Sequence, residues 1–221
     1  MNRIFIIQAI LSIGTLTSFY AQTNKFDWGI EGGPNLSFVT IKNNSSFKPN
    51  PAIFGSGGFI FQYNTKKILS FKTGFSYQRK GYRFSDITLM DNNNQIQKGR
   101  FVSSLDYISL PLLVKASFGE HIKFFVNAGP YGGFLLGRTD KIVTDNQVSK
   151  DHDLKGTKRW DFGLASGIGI AIPIKTFWMI HAELRNYSGL LNINSNANTK
   201  LFTNTTDLRL GLVYRLGFRE E

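Results

Sequence analysis

Hydrophobic positions recur at every second residue in eight stretches of the chain. Over 68–80, Leu69, Phe71, Thr73, Phe75 and Tyr77 share one parity, while Ser70, Lys72, Gly74, Ser76, Gln78 and Lys80 share the other. A period of two describes a β-strand with two unlike faces. The same alternation predicts strands over 26–39, 52–63, 102–117, 122–137, 159–172, 177–189 and 206–218. In the last of these, Leu208, Leu210, Leu212, Tyr214, Leu216 and Phe218 oppose Asp207, Arg209, Gly211 and Arg215. Gly55, Gly57 and Gly58 leave the parity of 52–63 open.

Alternation alone fits two architectures. A soluble barrel or sandwich turns the apolar parity inward; a membrane barrel turns it outward to lipid. Three features favour the membrane barrel. Short turns near Asn64–Lys67, Phe118–His121 and Pro173–Thr176 alternate with polar connections over 40–51, 81–101, 138–158 and 190–205. Keeping every long connection at one end is the habit of outer-membrane barrels. The polar parity mixes Gly with charges of both signs, which suits the narrow, side-chain-filled interior of a small barrel. The final strand carries an aromatic residue, Phe218, near its end. The expected fold is therefore an all-β, eight-stranded antiparallel up-and-down transmembrane β-barrel. It is expected to occupy residues 22–221 as one domain, with no C-terminal periplasmic module. The Asn-, Ser- and Lys-rich connections are expected to be mobile surface loops.

The first 21 residues read differently. Arg3 precedes an apolar run from Ile4 to Phe19, and Ala21 offers a small residue for cleavage. This is the pattern of a secretory signal peptide over 1–21. The run falls short of the ~20 residues that a spanning helix needs. No later stretch is long and apolar enough either, so a membrane protein built from the rest must be a closed barrel. The chain has no Cys, which excludes disulfides, thiolate chemistry, a Cys-ligated metal and lipid attachment at a lipobox.

The net charge is +11, and it falls to +10 once Arg3 is removed with the leader. The basic residues are dispersed singly and not gathered in a stripe, which argues against nucleic acid. A basic rim beside anionic lipid phosphates is a milder use of the same charge. The expected partners are outer-membrane lipid and lipopolysaccharide, the barrel-assembly machinery, and other envelope or secretion proteins.

Eight charged residues fall on the polar parity: Glu31, Lys72, Lys115, Asp161, Glu183, Arg185, Arg209 and Arg215. They admit two readings, a lumen filled with paired charges or a pathway for ions and solutes. A buried charge without a partner is costly, so pairing is the expectation. The three histidines are His121, His152 and His181. Only His152, between Asp151 and Asp153, falls in a long connection, where a lipid-modifying enzyme would need a base. One His and two Asp do not define a metal site. No catalytic, metal or cofactor-binding residue is assigned.

The stretch "LDYISLPLLVKASF", followed by "VNAGPYGGFLLG", resembles the PorT-like outer-membrane β-barrel family, as do "DFGLASGIGI", "ELRNYSGLLNI" and the terminal "LRLGLVYRLGF". The resemblance covers essentially all of 22–221. It implies an eight-stranded outer-membrane barrel of the OmpA/OmpX-like kind, without catalytic residues. The family's namesake is tied to a type IX protein-secretion system, but membership supports fold and location, not that role. The resulting expectation is a structural or interaction protein that displays four extracellular loops and supports an envelope or secretion assembly. The alternatives are a narrow solute channel and, less favoured, a lipid-modifying enzyme.

Overall fold

A computed structural model of the chain describes residues 26–42, 49–65, 68–90, 96–144, 148–152, 156–195 and 199–216. The leader over 1–21, Asp153 and Phe218 lie outside these residues. The strands are β1 (Phe26–Lys42), β2 (Ala52–Asn64), β3 (Leu69–Met90), β4 (Ile96–Phe118), β5 (Lys123–Thr144), β6 (Val148–Asp151), β7 (Trp160–Pro173), β8 (Trp178–Gly189) and β9 (Lys200–Leu216). Every pairing is antiparallel. Eight strands close a ring in the order β1-β2-β3-β4-β5-β7-β8-β9, with β9 hydrogen-bonded back to β1. Among the described residues, the short β6 pairs only with the far end of β5, from Asp140 to Val143.

The ring turns its apolar parity outward. Ile53, Phe71, Phe124, Leu164 and Leu210 are exposed, while Lys72, Asp161, Glu183, Arg185 and Arg209 are buried. This inverts the usual soluble core and matches a wall facing hydrocarbon. Closure leaves no sheet edge with unpaired backbone groups in the lipid. In β2 the ambiguity of the glycines resolves: Phe59 and Phe61 face out, and Ser56 and Ile60 face in.

One end of the ring carries the short connections, 65–68, 119–122 and 174–177. The β4–β5 turn needs Gly119, whose φ of 99° lies in the left-handed region. Aromatic residues cluster at this end: Trp178 and Phe177 pack on Tyr214, and Phe26 on Tyr63. At the opposite end Trp160 packs against Phe134 and Phe162. Aromatic rings at both limits of an apolar band are the girdles of a membrane barrel.

The long connections differ from the sequence reading. Residues 81–90 and 96–101 continue β3 and β4, 138–144 and 148–151 form strand, and β9 begins at Lys200. β3, β4 and β5 reach 22, 23 and 22 residues, about twice the ~9–11 that cross a bilayer. Their outer halves project beyond the band as a three-strand wall. Both faces of that wall leave the lipid, so the apolar alternation stops while the ladder goes on. Inside the wall, Tyr82, Phe84 and Phe101 pack on one another.

Candidate functional site

The interior of the ring is packed in layers. At the short-turn end Ile60, Phe125, Ala171, Met179 and Val213 form an apolar plug. At the long-hairpin end Leu105, Tyr107, Leu135 and Ile193 form another, with Leu201 packed against it. Ile193 belongs to the β8–β9 connection, and it is held over the lumen by its backbone. Its carbonyl accepts from Lys158 N–H at 2.7 Å, and its N–H donates to the Leu201 carbonyl at 3.0 Å. The adjoining Asn194 forms a bridge with Thr157.

Between the plugs lies an ion cluster built on Glu31 of β1 and Glu183 of β8. The Lys72 ammonium donates to both, at 3.1 Å to Glu31 Oε2 and 2.7 Å to Glu183 Oε2. Arg185 reaches Glu31 through Nη1 at 2.9 Å and Glu183 through Nε at 2.6 Å. Arg209 bridges Glu31 and Asp207. Asp207 also accepts from Ser56 at 3.1 Å and Gln78 at 2.9 Å. Asn127 donates to Glu183 at 2.9 Å. Three carboxylates (Glu31, Glu183, Asp207) thus meet three cations (Lys72, Arg185, Arg209), all buried. Charges shielded from water demand this balance, since a single missing partner leaves a net buried charge.

Glycines make room for these long side chains. A Cβ on Gly167 would lie 2.7 Å from Glu183 Oε1 and 2.9 Å from Asn127 Oδ1. On Gly169 it would collide with the Phe125 ring, and on Gly211 with the His181 ring. Gly on the polar parity is therefore the small half of a small–large fit across the lumen.

A second ionic layer holds Lys80 of β3 against Asp161 of β7 at 2.9 Å, both fully buried. Asp161 also accepts from Thr203 at 2.8 Å and Tyr131 at 3.2 Å. The Lys80 ammonium lies 4.6, 5.3 and 5.6 Å from the ring centres of Tyr131, Tyr107 and Tyr187, within cation–π range. Nearer the short turns, Lys115 donates to Gln62 Oε1 at 3.0 Å and lies 4.1 Å from the Phe125 ring centre. Arg215 stands at the mouth of that end, partly exposed and 3.8 Å from Asp27.

The structure thus brings Glu31, Lys72, Glu183, Arg185 and Arg209 into one cluster. Asp161 joins a separate pair, Lys115 an amide, and Arg215 the rim. The eight lumen charges read from the sequence did not include Lys80, Asp207 or His181. All three lie on the polar parity, which was the available signal. His181 is buried, with Nε2 3.2 Å from Glu31 Oε2. His121 is exposed in the β4–β5 turn. His152 is exposed, and its Nδ1 shares a 3.0 Å hydrogen bond with Thr139 Oγ1.

Glu31, His181 and Glu183 offer three ligand atoms within 4.8 Å of one another. These carboxylates already accept from Lys72, Arg185 and Arg209, so a divalent cation would have to displace bound cations. The residues fit an ion-pair network better than a metal centre.

A family model described as "outer membrane protein beta-barrel domain" matches residues 20–195. The chain belongs to this family. Membership and the inverted faces of the ring place it in the outer membrane. Among solved structures, the chain is similar to the attachment invasion locus protein Ail of Yersinia pestis, with 15% identity over 87% of this chain and 99% of that one, at a TM-score of 0.39. It is also similar to Neisserial surface protein A, at 12% identity over 86% and 97% of the two chains and a TM-score of 0.49. For OprG of Pseudomonas aeruginosa the values are 12%, 89%, 99% and 0.47. No curated protein matches the chain.

Proposed function

We propose that this family member is a closed, non-catalytic barrel with a structural or interaction role, directing its long-hairpin end outward from the cell after export on a cleaved leader over 1–21. The observation that carries the reading is the filled lumen. Two apolar plugs enclose two ionic layers whose charges are matched, so the interior serves as a rigid support and not a conduit. The surface left for function is the projecting wall of β3, β4 and β5. Binding surfaces commonly sit on such projections from a rigid scaffold. A partner in an envelope or secretion assembly fits this reading and the PorT-like sequence resemblance.

Capture from solubilised outer membranes tests it. A shortened chain would join Phe84 to Phe101, which are register partners, through a two-residue turn. Partners held by the full chain and lost by the shortened one are the expected result. An identical partner set from both would overturn the interaction role. Planar bilayer recording addresses the channel alternative: silence is expected, and a steady single-channel conductance would replace this reading with transport. An unchanged lipid profile on replacing His152 with Ala is expected for a non-enzyme.

A further inference from the structure

Inside the ring, Lys72, Lys80, Arg185 and Arg209 each meet a carboxylate; on the outer face of the projecting wall, Arg83, Arg100 and Lys141 meet none among the described residues. On the outward parity the apolar band ends at Tyr77 on β3, Ile108 on β4 and Leu136 on β5, all exposed. The next positions are Arg79 and Asp106, which are register partners. Arg79 Nε donates to Asp106 Oδ1 at 2.6 Å, and the Tyr77 hydroxyl donates to the same oxygen at 2.6 Å. Beyond them stand Arg83, Arg100 and Lys141, all exposed. Arg83 is in register with Val102, and Val102 with Lys141, so the two cations lie on one row two strands apart. At about 4.8 Å per strand their Cα atoms are roughly 10 Å apart. Arg100 follows two residues along β4 on the same face. Among the described residues, no carboxylate lies within 4.0 Å of any of the three. Four cations and one carboxylate give this patch a net charge of +3.

We propose that this patch docks the phosphorylated headgroup of a lipid in the membrane leaflet nearest the long hairpins, with the lipid's acyl chains lying on Tyr77, Ile108 and Leu136 below it. The surface is bipartite in the manner of an amphiphile. Along the same three strands the apolar band gives way to the Arg79–Asp106 pair and then to the three cations, with Val102 and Val143 among them. A free anion would use only the upper part. Arginine forks match phosphate oxygens in pairs, and a fixed cation at headgroup depth is attracted to anionic lipid. The inference rests on the reading that the outward parity faces lipid.

The full chain, purified from outer membranes in detergent, is mixed with bisphosphorylated lipid A or its dephosphorylated form and weighed by native mass spectrometry. Retention of the phosphorylated lipid alone is expected. Removing one charge weakens retention about fivefold, and R83Q/R100Q/K141Q together roughly a hundredfold. K175Q, in an exposed turn at the opposite end, should leave retention unchanged. Equal retention of both lipids, or by the triple variant, would overturn the proposal. So would displacement of the lipid by an equal concentration of inorganic phosphate. A mobility shift on boiling checks that each variant is a closed barrel. Loss of that shift in the unaltered chain would defeat the membrane reading itself, whereas a shifted chain that ignores lipid phosphate defeats only the docking surface.

Discussion

The Glu31 cluster and the Arg79–Asp106 pair are both salt bridges between strands of one ring, but they differ in what surrounds them. Glu31 and its three cationic partners have side chains between 0 and 3% exposed. Arg79 and Asp106 are 44% and 17% exposed on the outer face. In the lumen, water cannot replace a lost partner, so each charge depends on the others. On the wall it can, and the pair is worth little by itself. The apolar plugs sharpen the difference. Phe125 and Ile193 contribute no charge, yet they keep water from the layers between them.

The largest effect should come from removing the hub of the cluster. Glu31→Gln keeps the shape but leaves Lys72, Arg185 and Arg209 facing only Glu183 and Asp207. The uncompensated charge should cost about 3–5 kcal/mol. It would appear as a lower temperature for the loss of the compact gel form. If Glu31→Gln melts with the parent, the cluster is already hydrated and the contrast between lumen and wall collapses. Phe125→Ala comes next. It empties the space between Gly169 and Lys115 and should cost about 3 kcal/mol by the same assay. Because the ionic layers remain, the bilayer should stay silent; a conducting Phe125→Ala variant would show that the plug alone closes the lumen.

The sequence carried the ring more plainly than it carried the wall or the cluster. Within the band one face meets lipid and the other the lumen, so Leu208 to Leu216 alternate cleanly with Asp207 to Arg215. Past the band both faces of β3 and β4 are wet, and hydrophobicity no longer marks the period. The surviving signal was the shared parity of Tyr82 and Phe84 with Lys80. For the cluster, parity reports which face a residue is on but not how deep it lies. It placed Lys72 and Asp161 on one surface without revealing that Asp161 pairs with Lys80 instead. Asp207 sat two residues from Arg209 with no cue that Arg209 joins it to Glu31. Ile193 was masked by its Asn-rich surroundings, although an isolated Ile within "LNINSNANTK" is the kind of residue that a buried contact explains.

Two smaller perturbations test the comparison from its other side. Ile193→Ala should cost about 2 kcal/mol, less than the charge deletion, because a connection can partly settle into the space it leaves. Asp106→Asn should be the mildest. It removes the carboxylate that holds Arg79 and Tyr77, but all three groups reach water, so the stability change should stay below about 1 kcal/mol. The same substitution raises the outward patch from +3 to +4, and retention of bisphosphorylated lipid A should strengthen as stability slips slightly. A large loss of stability from Asp106→Asn would mean that the wall is knit together by its surface charges, as the lumen is. The projecting strands would then be an extension of the packed core instead of a platform resting on it.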